Sequence, residues 1–187
     1  MAEIELEALL SEARQFPPTP EFAQAANAQE GIYERASANR LDWWRQQAER
    51  LEWSVPPSTI LEWKLPVAQW FSDGRLNASV NCVDRHVQAG RGSRVAFHWI
   101  GDAEGESRTI TYADLLVSVS QAANALTELG VREGDRVAIY MPMIPEAVIA
   151  MLAVVRLGAM HSVVFGGFSA DALASRINDS GCRMVIT

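Results

Sequence analysis

Residues 134–187 read GDRVAIYMPMIPEAVIAMLAVVRLGAMHSVVFGGFSADALASRINDSGCRMVIT, and this stretch decides the fold class. Three short apolar runs, Val137–Met141, Val163–Phe165 and Met184–Ile186, lack the alternation of a half-exposed strand. Such runs suit strands covered on both faces. Two longer segments separate them. Pro145–Leu157 starts with a proline suited to a first helical turn, continues with Glu146 and ends at Gly158. Ala170–Ser180 follows Ser169 as a candidate N-cap, carries Asp171 in its first turn and stops before Gly181. Strand, helix, strand, helix, strand at this spacing predicts an α/β fold built on a parallel βαβαβ unit with right-handed crossovers.

Composition places the rest of the chain around that unit. A length of 187 residues with 49% hydrophobic content is enough for one domain with a sizeable core. A formal net charge of -7 argues against nucleic acid or an anionic membrane as the main partner. The opening MAEIELEALL has no positive n-region, so it does not read as a secretory signal. The longest apolar run, Ala147–Val155, is too short to span a bilayer. Cys82 and Cys182 lie far apart without metal-type spacing and read as two free thiols. The expectation is a cytoplasmic protein.

All six tryptophans precede position 100, which suggests an aromatic-rich, mostly helical extension ahead of the sheet. Residues 3–15 predict a helix that ends at Phe16-Pro17-Pro18. A second helix is expected to align Leu41, Trp44, Ala48 and Leu51 on one face. Glu52–Pro66 holds three prolines and reads as an extended connector. Arg94–Ile100 and Ser107–Thr111 read as strands joined by a polar loop. Thr111, with Asp114 three residues on, is positioned to cap a helix whose stripe is Leu115, Val119, Ala122, Leu126 and Leu129. The domain boundary is expected at 106/107.

Two segments concentrate candidate chemistry. Phe165-Gly166-Gly167-Phe168-Ser169 joins a strand end to a helix start, where open α/β sheets bind ligands. Glycines there let a ligand approach the backbone, and a helix N-terminus favours an anion. The same residues also read as a tight turn whose glycines supply unusual φ angles. Asn81-Cys82-Val83-Asp84-Arg85-His86 places Cys82 and His86 four apart, but two ligands do not make a zinc site. A structural helix with a solvated Arg–Asp pair is the simpler reading. His98 and His161 read as satisfied core histidines. Met141, Met143, Met151 and Met160 read as core filling. Lys64 is the only lysine and sits in the connector, and no P-loop or Ser–His–Asp wording is present.

The wording of residues 76–187 adds a family. LNASVNCVDRHV (76–87), RTITYADL (108–115) and the run from Gly130 through Ile177 closely resemble the AMP-forming acetyl-coenzyme A synthetases of the adenylate-forming acyl-CoA synthetase superfamily. GDRVAIYMPMIPE and HSVVFGGFS carry the short-chain branch, whereas TYADL alone would mark only the superfamily. The resemblance implies residues 1–106 as the family's N-terminal extension and 107–187 as the first segment of its AMP-binding domain. It implies formation of acetyl-adenylate from acetate and ATP, then acetyl transfer to CoA, with Mg²⁺ required.

The resemblance also places the family's phosphate loop, acyl pocket and catalytic lysine beyond Thr187. No catalytic residue is therefore assigned, and the chain alone is expected to be inactive and to bind none of these molecules tightly. From the family's CoA site, Phe165, Gly166 and Gly167 carry over as a wall near the CoA adenine. The remaining synthetase chain is expected to cover the sheet. A propionyl-CoA synthetase segment and a stand-alone binding module are the alternatives.

Overall fold

The computed structural model describes residues 14–187, so nearly all of the helix expected over 3–15 lies outside the described residues. The chain divides into two compact units, Met1–Gln46 and Gln47–Thr187.

The described part of the first unit is helical. Helix α1 (Pro20–Ala25) starts where Thr19 Oγ1 accepts the Phe22 N–H at 3.3 Å, with Pro20 at its first position. Helix α2 spans Ile32–Ala38. Helix α3 (Arg40–Ala48) begins in this unit, where Asn39 Oδ1 accepts the Asp42 N–H at 3.1 Å. The apolar face expected on this helix is only partly realised. Ala48 is buried, whereas Leu41 and Trp44 are exposed and Leu51 lies beyond the helix end.

The second unit opens with a hairpin where a connector was expected. β1 (Leu61–Lys64) pairs antiparallel with β2 (Val67–Trp70), and the cis Leu65–Pro66 peptide forms the turn between them. The prolines that argued against regular structure flank and turn the strands without interrupting their pairing. Asp73 clasps the approach to β1 by accepting the backbone N–H groups of Ser58 and Thr59 at 3.1 and 3.0 Å. Gly74 is required for packing, since a Cβ there would stand 2.7 Å from the Trp53 ring.

Residues 80–91 form two short π-helical stretches, Val80–Asp84 and Val87–Arg91, the second kinked where Gly90 takes a left-handed φ of 74°. β3 (Val95–Ile100) pairs antiparallel with β4 (Ser107–Thr111), with a register shift between Val95 and Phe97. This hairpin joins residues on both sides of 106/107. α4 (Tyr112–Glu128) starts with the expected capping box: Thr111 Oγ1 accepts the Asp114 N–H, and the Asp114 carboxylate accepts the Thr111 N–H, both at 3.2 Å.

The parallel unit follows as β5 (Arg136–Met141), α5 (Pro145–Arg156), β6 (Met160–Phe165), α6 (Ala170–Ser180) and β7 (Met184–Ile186). The sheet order is β6-β5-β7, all parallel, with β5 in the centre. The core lies between the sheet and the α4–α5 pair. Leu115, Val119, Ala123 and Leu126 of α4 meet Ala153 and Val154 of α5, Val137 of β5 and Val83. Fully burying valines such as Val119, Val137 and Val154 is worth about 1.5–3 kcal/mol each. In the stripe, Ala123 takes the buried place, Ala122 is partly buried and Leu129 is exposed.

Coverage of the sheet is uneven. Val137, Ala138 and Ile139 of β5 are buried, as the unbroken apolar run predicted. On β6 only Val164 is buried; Met160 and Val163 are each 52% exposed. Among the described residues, no strand pairs with the outer edge of β6.

Candidate functional site

The carboxyl ends of β5 and β6 lie side by side, because Met141 is in register with Phe165. The turn after β6 passes through Gly166, Gly167 and Phe168 to Ser169, whose Oγ accepts the Ala172 N–H at 3.3 Å and caps α6. Neither Gly166 nor Gly167 has a left-handed φ, so unusual backbone angles are not why glycine stands here. Space is the reason. A Cβ on Gly166 would sit 3.3 Å from the Met141 carbonyl oxygen, and one on Gly167 would sit 2.6 Å from the Phe165 ring.

The turn is held from inside the sheet. Tyr140 Oη lies 3.0 Å from the Gly166 carbonyl oxygen and 2.8 Å from that of Phe168, so its single proton is shared between two acceptors. Two aromatic rings face outward from the turn. Phe165 is 64% exposed and meets Phe168 edge-on at 5.9 Å. The Arg176 guanidinium stands 4.3 Å from the centre of the Phe168 ring. The arrangement offers a flat apolar surface, a side-chain-free backbone strip, a cation and a helix N-terminus. A planar, anionic ligand matches that set.

The loop after β5 is held from the β3–β4 hairpin. Trp99 Nε1 donates to the Met143 carbonyl oxygen at 2.7 Å. Arg108 bonds both oxygens of Glu146 at 2.7 and 2.9 Å, and its guanidinium stands 4.9 Å from the centre of the Trp99 ring. The guanidinium holds the Glu146 carboxyl below its ordinary range. Sequence reasoning had named Phe165, Gly166 and Gly167 but neither Tyr140 nor Trp99. The legible signal for both was a ring with a polar tip at or near the end of an apolar strand.

The other candidates separate. Asp84 does not make a solvated pair with its neighbour Arg85. It takes both N–H groups of Arg156, 72 residues away, at 2.7 Å each, while Arg85 donates to the Arg50 carbonyl and Asn81 Oδ1. Cys82 is exposed, and His86 stacks on Tyr112 at 4.6 Å and accepts from Arg91 at 2.9 Å. Burial first, then the charges of Arg91 and Arg85, push the His86 pKa down. Among the described residues no group of three or more His, Cys, Asp or Glu could hold a metal ion.

The expectation for the histidines is corrected. His98 bonds Thr109 across the hairpin at 3.1 Å and is not in the core, and the buried Nδ1 of His161 has no hydrogen-bond partner. The expectation for the methionines is corrected too: Met143 is 82% and Met160 52% exposed, because one sits at a loop tip and the other on the open strand. No described helix is long and apolar enough to cross a membrane.

Comparison with known proteins gives this geometry a family. Residues 83–187 match the AMP-binding enzyme family, and residues 29–82 match the acetyl-coenzyme A synthetase N-terminus. The two matches meet inside the first π-helical stretch, ahead of the expected 106/107 division. The chain is 57% identical to the acetyl-coenzyme A synthetase of Streptomyces avermitilis over 180 residues, which is 96% of this chain and 28% of the relative. It is 57% identical to that of Mycobacterium tuberculosis over 92% of this chain and 27% of the relative. The chain thus spans little more than a quarter of the length of these curated relatives, in their N-terminal part.

The acetoacetyl-CoA synthetase from Streptomyces lividans superposes with a TM-score of 0.74 at 27% identity, covering 88% of this chain and 26% of its own. The α/β architecture with its parallel sheet is therefore that of an acyl-CoA synthetase segment. The AMP-binding match alone extends over more than half of the residues, and the chain belongs to the AMP-binding enzyme family.

Proposed function

We propose that this chain is the N-terminal segment of an AMP-forming acetate–CoA ligase. In the complete ligase an acetate oxygen attacks the α-phosphorus of ATP and pyrophosphate leaves; the CoA sulfur then attacks the acetyl carbon and AMP leaves. The observation that carries this reading is 57% identity to an acetyl-coenzyme A synthetase along 96% of the chain. The complete ligase uses acetate, ATP, Mg²⁺ and CoA. Among the described residues no group of three or more His, Cys, Asp or Glu stands ready to hold that Mg²⁺. The 187 residues alone are proposed to bind none of these tightly and to be catalytically silent, because they contribute no phosphate-stabilising lysine or glycine-rich phosphate loop.

The part we assign to this segment is the wall of the CoA site. Phe165 presents an exposed ring on which adenine stacks, worth about 1–3 kcal/mol. Gly166 and Gly167 keep side chains out of its approach, and Tyr140 holds the turn on either side of Gly167 through the Gly166 and Phe168 carbonyls. In this reading residues 1–106 form the extension and 107–187 begin the adenylating domain. The enzyme works on small molecules in the cytoplasm, with neither nucleic acid nor membrane as partner, in keeping with its net charge of -7.

The test is acetate-dependent exchange of pyrophosphate into ATP by the complete polypeptide, run beside propionate. Exchange with acetate at the higher kcat/KM is expected. Exchange with neither acid overturns the reading, and a preference for propionate replaces the substrate.

A further inference from the structure

The loops after β5 and β6 pack backbone against backbone, since a Cβ on Gly166 would also lie 3.4 Å from the Pro142 nitrogen. Each loop is tied by one aromatic side chain from outside itself. Tyr140 ties the turn after β6. Trp99 ties the loop after β5 through the Met143 carbonyl, with Arg108 bridging its ring to Glu146 in the first turn of α5.

The start of α5 does not need this brace. Pro145 stands at its first position, and the Ala147 N–H already bonds the Ile144 carbonyl at 3.0 Å. What the brace does fix is Met143, whose backbone is held while its side chain stands 82% exposed. An exposed thioether on a backbone held by a hydrogen bond, on the loop that packs against Gly166, offers a contact surface to an apolar or aromatic ligand group.

We infer that Met143 is a further part of the CoA wall, and that Trp99 and the Arg108–Glu146 pair are positioning residues that hold it there. The inference rests on the proposed CoA contact at Phe165–Gly167. Trp99 touches no ligand; it acts through the carbonyl of Met143. Losing its N–H loosens the loop and weakens CoA without altering the chemistry of a saturated enzyme.

The experiment measures KM for CoA and kcat at saturating CoA in the complete ligase, with CoA itself as the probe. The variants are Trp99→Phe, Glu146→Gln, Met143→Ala and Phe165→Ala. Trp99→Phe keeps the ring and removes only the donor, and a net hydrogen bond of ordinary strength corresponds to roughly a two- to tenfold rise in KM. Met143→Ala keeps the carbonyl and the brace, and is expected to raise KM by a similar factor.

A rise in KM for Trp99→Phe and Met143→Ala, with kcat changed less than twofold, supports the inference. If Phe165→Ala raises KM and neither of those variants does, the brace is overturned while the CoA wall stands. If Phe165→Ala has no effect either, the wall itself is wrong. If Trp99→Phe and Glu146→Gln lower kcat and the melting temperature together, the hairpin contact is structural and the inference fails.

Discussion

Asp84 and Arg156 face each other through two parallel hydrogen bonds of 2.7 Å, with their side chains only 13% and 25% exposed. The pair ties the π-helical stretch to the end of α5. Asn77 completes the joint by donating to the Arg156 carbonyl at 3.0 Å, which satisfies a group the helix end leaves open.

Removing one partner leaves a largely buried charge alone. Asp84→Ala is expected to destabilise the protein by about 2–4 kcal/mol. Arg156→Met should cost a similar amount, and the double variant should recover part of the loss, giving a coupling of about 1 kcal/mol or more. Urea denaturation of the four proteins checks this. Additive losses would show that the two side chains do not act as a pair.

Gly166 and Phe165 are neighbours with opposite expected behaviour. Gly166→Ala presses a methyl group against the Met141 and Pro142 backbone, at 3.3–3.4 Å, and is expected to cost about 1–3 kcal/mol of stability. Phe165→Ala removes an exposed ring and is expected to change stability by under 1 kcal/mol while raising KM for CoA roughly five- to a hundredfold. A larger substitution at Gly166 is thus a folding variant and a poor probe of the ligand. Thermal melts beside KM values separate the two effects; a stable Gly166→Ala protein would remove the spatial argument.

Much of this was legible in the sequence because it is local. The parallel unit follows from apolar runs and caps a few residues apart, and the Thr111–Asp114 box lies within one helical turn. What was not legible is long-range or contrary to a local rule. Asp84 has a nearer arginine in sequence, yet its partner comes from α5. Glu52–Pro66, whose prolines read as an extended connector, contains the first of two paired strands, with the prolines before it and in the turn after it. The glycines of the FGG turn stand out in the sequence as candidates for unusual φ, whereas the structure gives them ordinary φ and close neighbours, the Met141–Pro142 backbone at Gly166 and the Phe165 ring at Gly167. Tyr140 and Trp99 can be picked out in the sequence as polar-tipped rings near strand ends, but the carbonyls they bond lie 26 to 44 residues away and need the folded structure to be seen.

Asp73 supplies a pH signature. The Ser58 hydroxyl, then the Thr59 and Ser58 backbone N–H groups, hold its carboxyl at about 2, below the ordinary value of 3.8. A carboxylate whose folded pKa is depressed contributes stability that is complete above the unfolded value and is lost as pH falls toward the folded one. The contribution should therefore fade between about pH 4 and pH 2. Acid unfolding should be less steep in that window for Asp73→Asn than for the parent. An Asp73 carboxyl titrating near 4 by NMR would contradict the clasp.

The open side of β6 predicts how the 187 residues behave alone. Met160 and Val163 are exposed on a strand whose outer edge is unpaired among the described residues, a template for further pairing. We expect the isolated chain to bind a hydrophobic dye or to self-associate, and the complete polypeptide to do neither. A monodisperse monomer with a sharp two-state melt would show that the sheet needs no cover.

The central claim, that this chain begins an AMP-forming acetate–CoA ligase, is tested most directly by the nucleotide product. The complete polypeptide, supplied with acetate, ATP, Mg²⁺ and CoA, is predicted to release one AMP for each acetyl-CoA formed, and the 187-residue chain to release none. ADP as the product, or acetyl-CoA without matching AMP, would contradict the account.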